Sequence, residues 1–163
     1  MNRTTILYLL TLTLLKAEPP QESDYYTITP FQIPEGENVE TSGIALTPDN
    51  RIAVSTRRGQ IWSVGNAFDY PTKPADWKVF AEYIHEPIGL AQKDGWLYAV
   101  QRPEVTRMKD TNGDGRADIF ETVTSGWGIN GNYHEYNFGS RFHRDGHIYT
   151  ALCLTGSFTS ESL

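Results

Sequence analysis

Three times along the chain an apolar run is followed by a tight turn and then a second apolar run. The first unit is Glu40–Leu46, the turn Pro48-Asp49-Asn50, and Arg51–Thr56. The second is Glu86–Ala91, Lys93-Asp94-Gly95 and Trp96–Gln101. The third is Glu135–Ser140, Arg144-Asp145-Gly146 and His147–Cys153. Asp-Asn and Asp-Gly pairs accept positive φ, which suits two-residue hairpins between antiparallel strands. The turn aspartates lie 45 and 51 residues apart. A period of about 40–50 residues constrains a chain more than any single motif does.

Each period holds room for four short strands, the arrangement of a β-propeller blade. The spacing predicts blade one at Gly43–Leu46, Arg51–Thr56, Gln60–Val64 and Trp77–Tyr83. Blade two is expected at Ile88–Ala91, Trp96–Val100, Val105–Lys109 and Ile119–Thr124. A third blade begins with Tyr136–Phe142 and His147–Leu154. The expected fold is therefore all-β: a partial propeller of four-stranded antiparallel blades. About two and a half blades occupy residues 36–163, and the domain reads as truncated at Leu163. The alternative is a small twisted meander complete in itself. Residues 18–35 read as a polar, proline-containing leader extended along the surface. In the blade arrangement, turns between strands one and two and between strands three and four share one face. The opposite face collects Arg57, Arg58, His85, Gln101, Arg102, Trp127, Asn130, Tyr133 and His134 around a channel mouth.

Asp110–Glu121 (DTNGDGRADIFE) has the spacing of a twelve-residue calcium loop. Asp110, Asn112, Asp114, Asp118 and Glu121 hold positions 1, 3, 5, 9 and 12, and Gly115 holds position 6. A hard cation takes about six to eight oxygens. Arg116, at position 7, would supply its backbone carbonyl. The flanking runs are β-branched and aromatic, so the loop should join two strands rather than two helices, with a structural ion. The alternative is a solvated acidic turn.

Charge narrows the partners. The formal net charge is −6, and no basic stripe exists to neutralise phosphates, so nucleic acid is not an expected partner. Residues 1–17 carry Arg3 ahead of the apolar run Ile6–Leu15, the pattern of a secretory signal. Cleavage after Ala17 would leave 12 basic and 20 acidic residues, net −8. The alternative is a retained anchor. A periplasmic or secreted location follows, and extracellular calcium fills weak loops. A single cysteine, Cys153, allows no intrachain disulfide and reads as a small buried hydrophobe. The chain contains no CxxCH, so it attaches no c-type haem itself.

The segments SGIALTPDNRIAVSTRRGQIWSV, EPIGLAQKDGWLYAVQRPEVTRMKDTNGDGRADIFETV and GWGINGNYHEYNFGSRFHRDGHIYTALCLTGSF carry a family resemblance. They resemble the N-terminal propeller of large secreted planctomycete-type proteins, a membrane-bound dehydrogenase or haem-binding family. That propeller is in turn similar to the soluble quinoprotein glucose and sorbosone dehydrogenases. The resemblance implies oxidation of a sugar or other alcohol, pyrroloquinoline quinone as cofactor, and a downstream haem c domain as partner in the parent protein. It makes His134 the candidate base. An imidazole suits that task because its pKa lies near neutrality. Arg102 is the candidate for steadying an anionic quinone group. Two further readings stand beside this one: a non-catalytic, calcium-stabilised propeller binding carbohydrate or protein, with Trp127 and Tyr133 as stacking platforms, and a structural module of a larger redox assembly.

Overall fold

The computed structural model describes residues 18–69, 72–129 and 133–153. The expected signal segment 1–17, Asn130 and all residues after Cys153 lie outside the described residues. Blade one is a four-stranded sheet of β1 (Thr41–Leu46), β2 (Ile52–Thr56), β3 (Ile61–Val64) and β4 (Trp77–Ala81), in that spatial order. Blade two repeats it with β5 (Gly89–Lys93), β6 (Trp96–Val100), β7 (Val105–Lys109) and β8 (Ile119–Thr124). A third sheet consists of the hairpin β9 (Asn137–Phe142) and β10 (Ile148–Leu152). Every pairing is antiparallel. The partial propeller expected from the repeat is the fold observed. Among the described residues, no helix is long and apolar enough to cross a membrane.

Local chemistry explains the strand ends. Asp94 and Gly95 take φ of 51° and 77°, Asn50 takes 58° and Gly146 takes 90°. Asp94 and Gly95 are the whole loop between Lys93 and Trp96, the left-handed pair a two-residue hairpin needs, while Asn50 and Gly146 each supply the left-handed position of a longer turn. β6, β7 and β8 match their expected bounds, because breaker residues fence each of them. β5 begins at Gly89 rather than Ile88, and β4 stops at Ala81 rather than Tyr83. Tyr83 has φ of 64°, which no strand accommodates.

The blades stack face to face. Ala45, Ala53 and Ile61 of blade one close on Leu90, Leu97, Ala99 and Met108 of blade two, all of them buried. The other face of blade two presents Ala91, Tyr98, Val100 and Val105 to Phe142 and Ile148 of the third sheet. Tyr98 and Phe142 meet edge to face at 4.8 Å, a geometry that aromatic quadrupoles favour. Alternation along each strand thus feeds two different cores, one on each side of the blade.

The leader does not simply run along the surface as expected. Phe31 of the leader, and Val39 just past its end, pack on the remaining face of blade one, beside Val54, Trp62, Val64 and Trp77. The Phe31 ring stands edge-on to Trp77 at 6.4 Å. Cys153 is only partly buried, and its backbone N–H donates to the Tyr136 carbonyl at 2.9 Å.

Gly89 opens β5 where the inner strands come closest. A Cβ there would stand 1.8 Å from the Gly139 carbonyl oxygen of β9. Only hydrogen fits.

Candidate functional site

The segments leaving β2 and β6, and those joining one blade to the next, meet on one face, as the repeat predicts. Their charged side chains form an alternating series across the blade joints. Arg57 pairs with Glu40 of its own blade at 2.9 Å and lies 3.9 Å from Glu86 of the next. Arg102 pairs with Glu86 at 3.0 Å and lies 3.7 Å from Glu135 of the third sheet. Each arginine therefore sits between two glutamates contributed by successive blades. Glu135 is 1% exposed and the Arg102 side chain 11%, so the second joint is the dry one. A buried charge of this kind is tolerated only when paired. Glu86 takes φ of 47°, an uncommon conformation for a non-glycine residue, directly between the two arginines.

Hydrogen bonds from the third sheet tie down the same corner. Asn137, buried, donates through Nδ2 to the carbonyls of Gln101 at 2.9 Å and Arg102 at 2.6 Å. Trp127 Nε1 donates to the Arg102 carbonyl at 2.7 Å. The Tyr136 ring lies under the Arg102 guanidinium at 5.7 Å. Bonding to Glu40 first, and then to Tyr136, raises the pKa of Arg57 above its ordinary value. His85 contributes through its backbone, donating its N–H to Gln101 Oε1 at 2.6 Å.

Two candidate residues are engaged within the joint. Trp127 is half-buried against the core between blade two and the third sheet, with its indole N–H engaged. It is a strut, not an open stacking platform. Arg102 is mostly buried and held between Glu86 and Glu135. By contrast, Tyr133 is 73% exposed. His134 is exposed as well, and the two rings lie tilted at 38° with centroids 3.7 Å apart.

The glutamates and Tyr136 were not singled out from sequence as site residues. Their signal was present: a glutamate recurs just ahead of the inner strand in each repeat, and an arginine follows the second strand in the first two.

On the opposite face, Asp110–Glu121 joins β7 to β8 as expected. Three side chains curl into the loop. Asp110 accepts from the Gly113 and Gly115 amides at 2.7 and 2.8 Å, Asn112 from Asp114 at 2.9 Å, and Asp114 from Arg116 at 2.8 Å. Gly113 and Gly115 take φ of 81° and 90°. Asp118 accepts from Thr111, and the Thr111 hydroxyl is the main cause of its lowered pKa. Glu121 is drawn away to Arg107 Nε at 2.7 Å, because the two face each other across the β7–β8 register. Among the described residues, no three carboxylate, imidazole or thiol groups converge as a metal cage. The Arg116 side chain reaches Glu82 at 2.8 Å, and the Ala117 amide donates to the Phe80 carbonyl at 2.8 Å. The loop of blade two is thus clamped to the outer edge of blade one.

A family model described as a domain of unknown function (DUF7133) matches residues 73–161, more than half of the chain. The chain belongs to that family. No curated protein matches it. Among solved structures it is similar to a provisionally assigned oxidoreductase (glucose dehydrogenase) from Thermus thermophilus. The TM-score is 0.54 at 17% identity, over 70% of this chain and 37% of that one. The likeness is one of fold, and the chain spans just over a third of that structure's length.

Proposed function

We propose that this chain contributes blades to an exported dehydrogenase-type propeller that oxidises a sugar or other alcohol. The observation that carries the reading is the shared fold with a glucose-dehydrogenase-like structure, combined with the exposed imidazole of His134 just ahead of the third sheet. Oxidising an alcohol removes one hydroxyl proton and one hydride. His134 is the group we assign to take the proton, since an imidazole ordinarily titrates near neutral pH. The hydride goes to a two-electron acceptor. Arg57, Arg58 and Arg102 already have glutamate partners in Glu40, Glu86 and Glu135, so an anionic quinone in that role would share these arginines with them. The proposed acceptor is pyrroloquinoline quinone, with Arg102 as the residue to steady its anionic edge, and the proposed partner is a downstream haem c domain.

In the whole protein, supplied with an alcohol panel and an artificial electron acceptor, His134→Ala is expected to lower kcat by at least about a hundredfold. His85→Ala should do much less. Retained turnover in the His134 variant would transfer the proton step to another group. A second reading, sugar binding without chemistry, draws on the exposed Tyr133–His134 ring pair. Saturable sugar binding with no turnover under any acceptor would select it.

The loop Asp110–Glu121 is proposed to take calcium through Asp110, Asn112, Asp114, Asp118 and the Arg116 carbonyl, completed when Glu121 leaves Arg107. Oxygen-only donors and a tight turn suit a hard cation. Its clamp on Phe80 and Glu82 makes the expected effect a stiffer joint between blades one and two. Calcium at a hundredfold excess over its Kd should stabilise the chain by about 2.7 kcal/mol, a melting-temperature rise of about 5–10 °C. Asp114→Ala should abolish the rise, and Arg107→Ala, by releasing Glu121, should tighten binding. An identical melting curve in calcium and in chelator would remove the ion from the loop.

A further inference from the structure

A wedge-shaped cleft opens between blades one and two on the turn face, with a volume of about 390 Å³. That lies within the range of about 300–1,000 Å³ found for small-molecule sites. Ala53, Leu97 and Met108, all buried, and the partly buried Phe80 make an apolar floor. The rim is polar and evenly divided in charge: Arg51, Lys78 and Lys109 against Asp49, Asp110 and Asp114. Trp96 forms one wall. We propose that this cleft binds a neutral sugar of one or two rings, at a site separate from the channel mouth.

The charge balance selects the ligand class. An anion or cation would gain from half of the rim and be repelled by the other half. A hydroxyl group is donor and acceptor at once, so it bonds a carboxylate and an ammonium together. The rim is held ready for this. Thr47 donates to Asp49 at 2.6 Å, Arg51 Nε donates to Ser63 Oγ at 2.6 Å, and both Asp110 oxygens are fixed by loop amides. Among the described residues no carboxylate pairs with Lys78 or Lys109. The Lys109 ammonium rests 5.7 Å from the Trp96 ring. The partly exposed Phe80 and Trp96 rings, backed by that buried floor, suit the C–H face of a pyranose, which buries hydrophobic area while its hydroxyls meet the rim. No mouth residue takes part, so the site does not depend on the dehydrogenase reading.

The test is an amide-resolved NMR titration of the full chain in chelator, which keeps it separate from the calcium proposal. The probes are D-glucose and cellobiose, with glycine as a zwitterion and acetate as an anion. Saturable shifts are expected for Gly95, Lys109, Gly113 and Gly115 with either sugar. Lys78→Ala combined with Lys109→Ala, both outside the core, should weaken binding by at least about tenfold without lowering the melting temperature. Sugar shifts confined to Arg102, Trp127 and Tyr133, no saturable shift up to about 50 mM, or glycine or acetate binding there in place of the sugars would each overturn it.

Discussion

Replacing Arg102 by alanine should lower the free energy of unfolding by about 3–5 kcal/mol, the usual cost of removing one partner from a buried ion pair. The expectation rests on Glu135, which is 1% exposed and loses the cationic neighbour 3.7 Å away. The cation–π contact with Tyr136 is lost too. Glu86 is partly exposed and can recover hydration, so most of the loss belongs to Glu135. For a chain of this size the melting temperature falls by about 2–4 °C per kcal/mol, or about 6–20 °C in all. Urea unfolding measures it directly. Adding Glu135→Gln to Arg102→Ala should restore part of the stability, because a neutral amide costs less to bury than a carboxylate that has lost its arginine. A fall below about 1 kcal/mol would mean that Glu135 reaches water and that the joint is not dry.

Gly89→Ala is expected to undock the β9–β10 hairpin from blade two. The added methyl would stand 1.8 Å from the Gly139 carbonyl oxygen and 2.7 Å from its carbon. Neither can rotate away as a side-chain tip can. Overpacking costs about 1–3 kcal/mol where neighbours can yield, and a backbone obstacle places this change at or above the top of that range. Hydrogen exchange should accelerate in Asn137–Phe142 and Ile148–Leu152, while β1–β3 stay protected. Gly126→Ala, where the nearest atom is 3.9 Å away and belongs to a side chain, serves as the neutral control. Unchanged protection in the Gly89 variant would show that the inner strands shift apart freely.

The sequence carries the blades well because local signals agree. In blade two, Lys93-Asp94-Gly95, Pro103 and the Asp110 loop fence each strand, and three of the four fall at their expected bounds. The leader and the residues just past its end are harder to read. Phe31 and Val39 are isolated apolar residues in a polar stretch, with no period to betray that they cover a sheet face. Side-chain direction at the mouth is harder still. Arg102 could point outward to a ligand or inward to Glu135, and the choice depends on a residue 33 positions away brought near by blade stacking. Glu121 makes the same point at the loop. Its spacing suits calcium, yet its cross-strand partner is Arg107, and register alone decides that meeting.

The placing of arginines and glutamates bears on how such a chain grows. In both joints a blade supplies an arginine that is neutralised half by its own glutamate and half by the glutamate of the blade that follows. The repeating unit is therefore electrically self-sufficient. Duplicating or deleting a whole unit would bring or remove one charge of each sign and leave no buried ion stranded. Cutting within a unit, between Glu86 and Arg102 for instance, would not. The joint chemistry thus favours change in steps of complete blades, and it marks the segment just ahead of each glutamate as the natural place to splice.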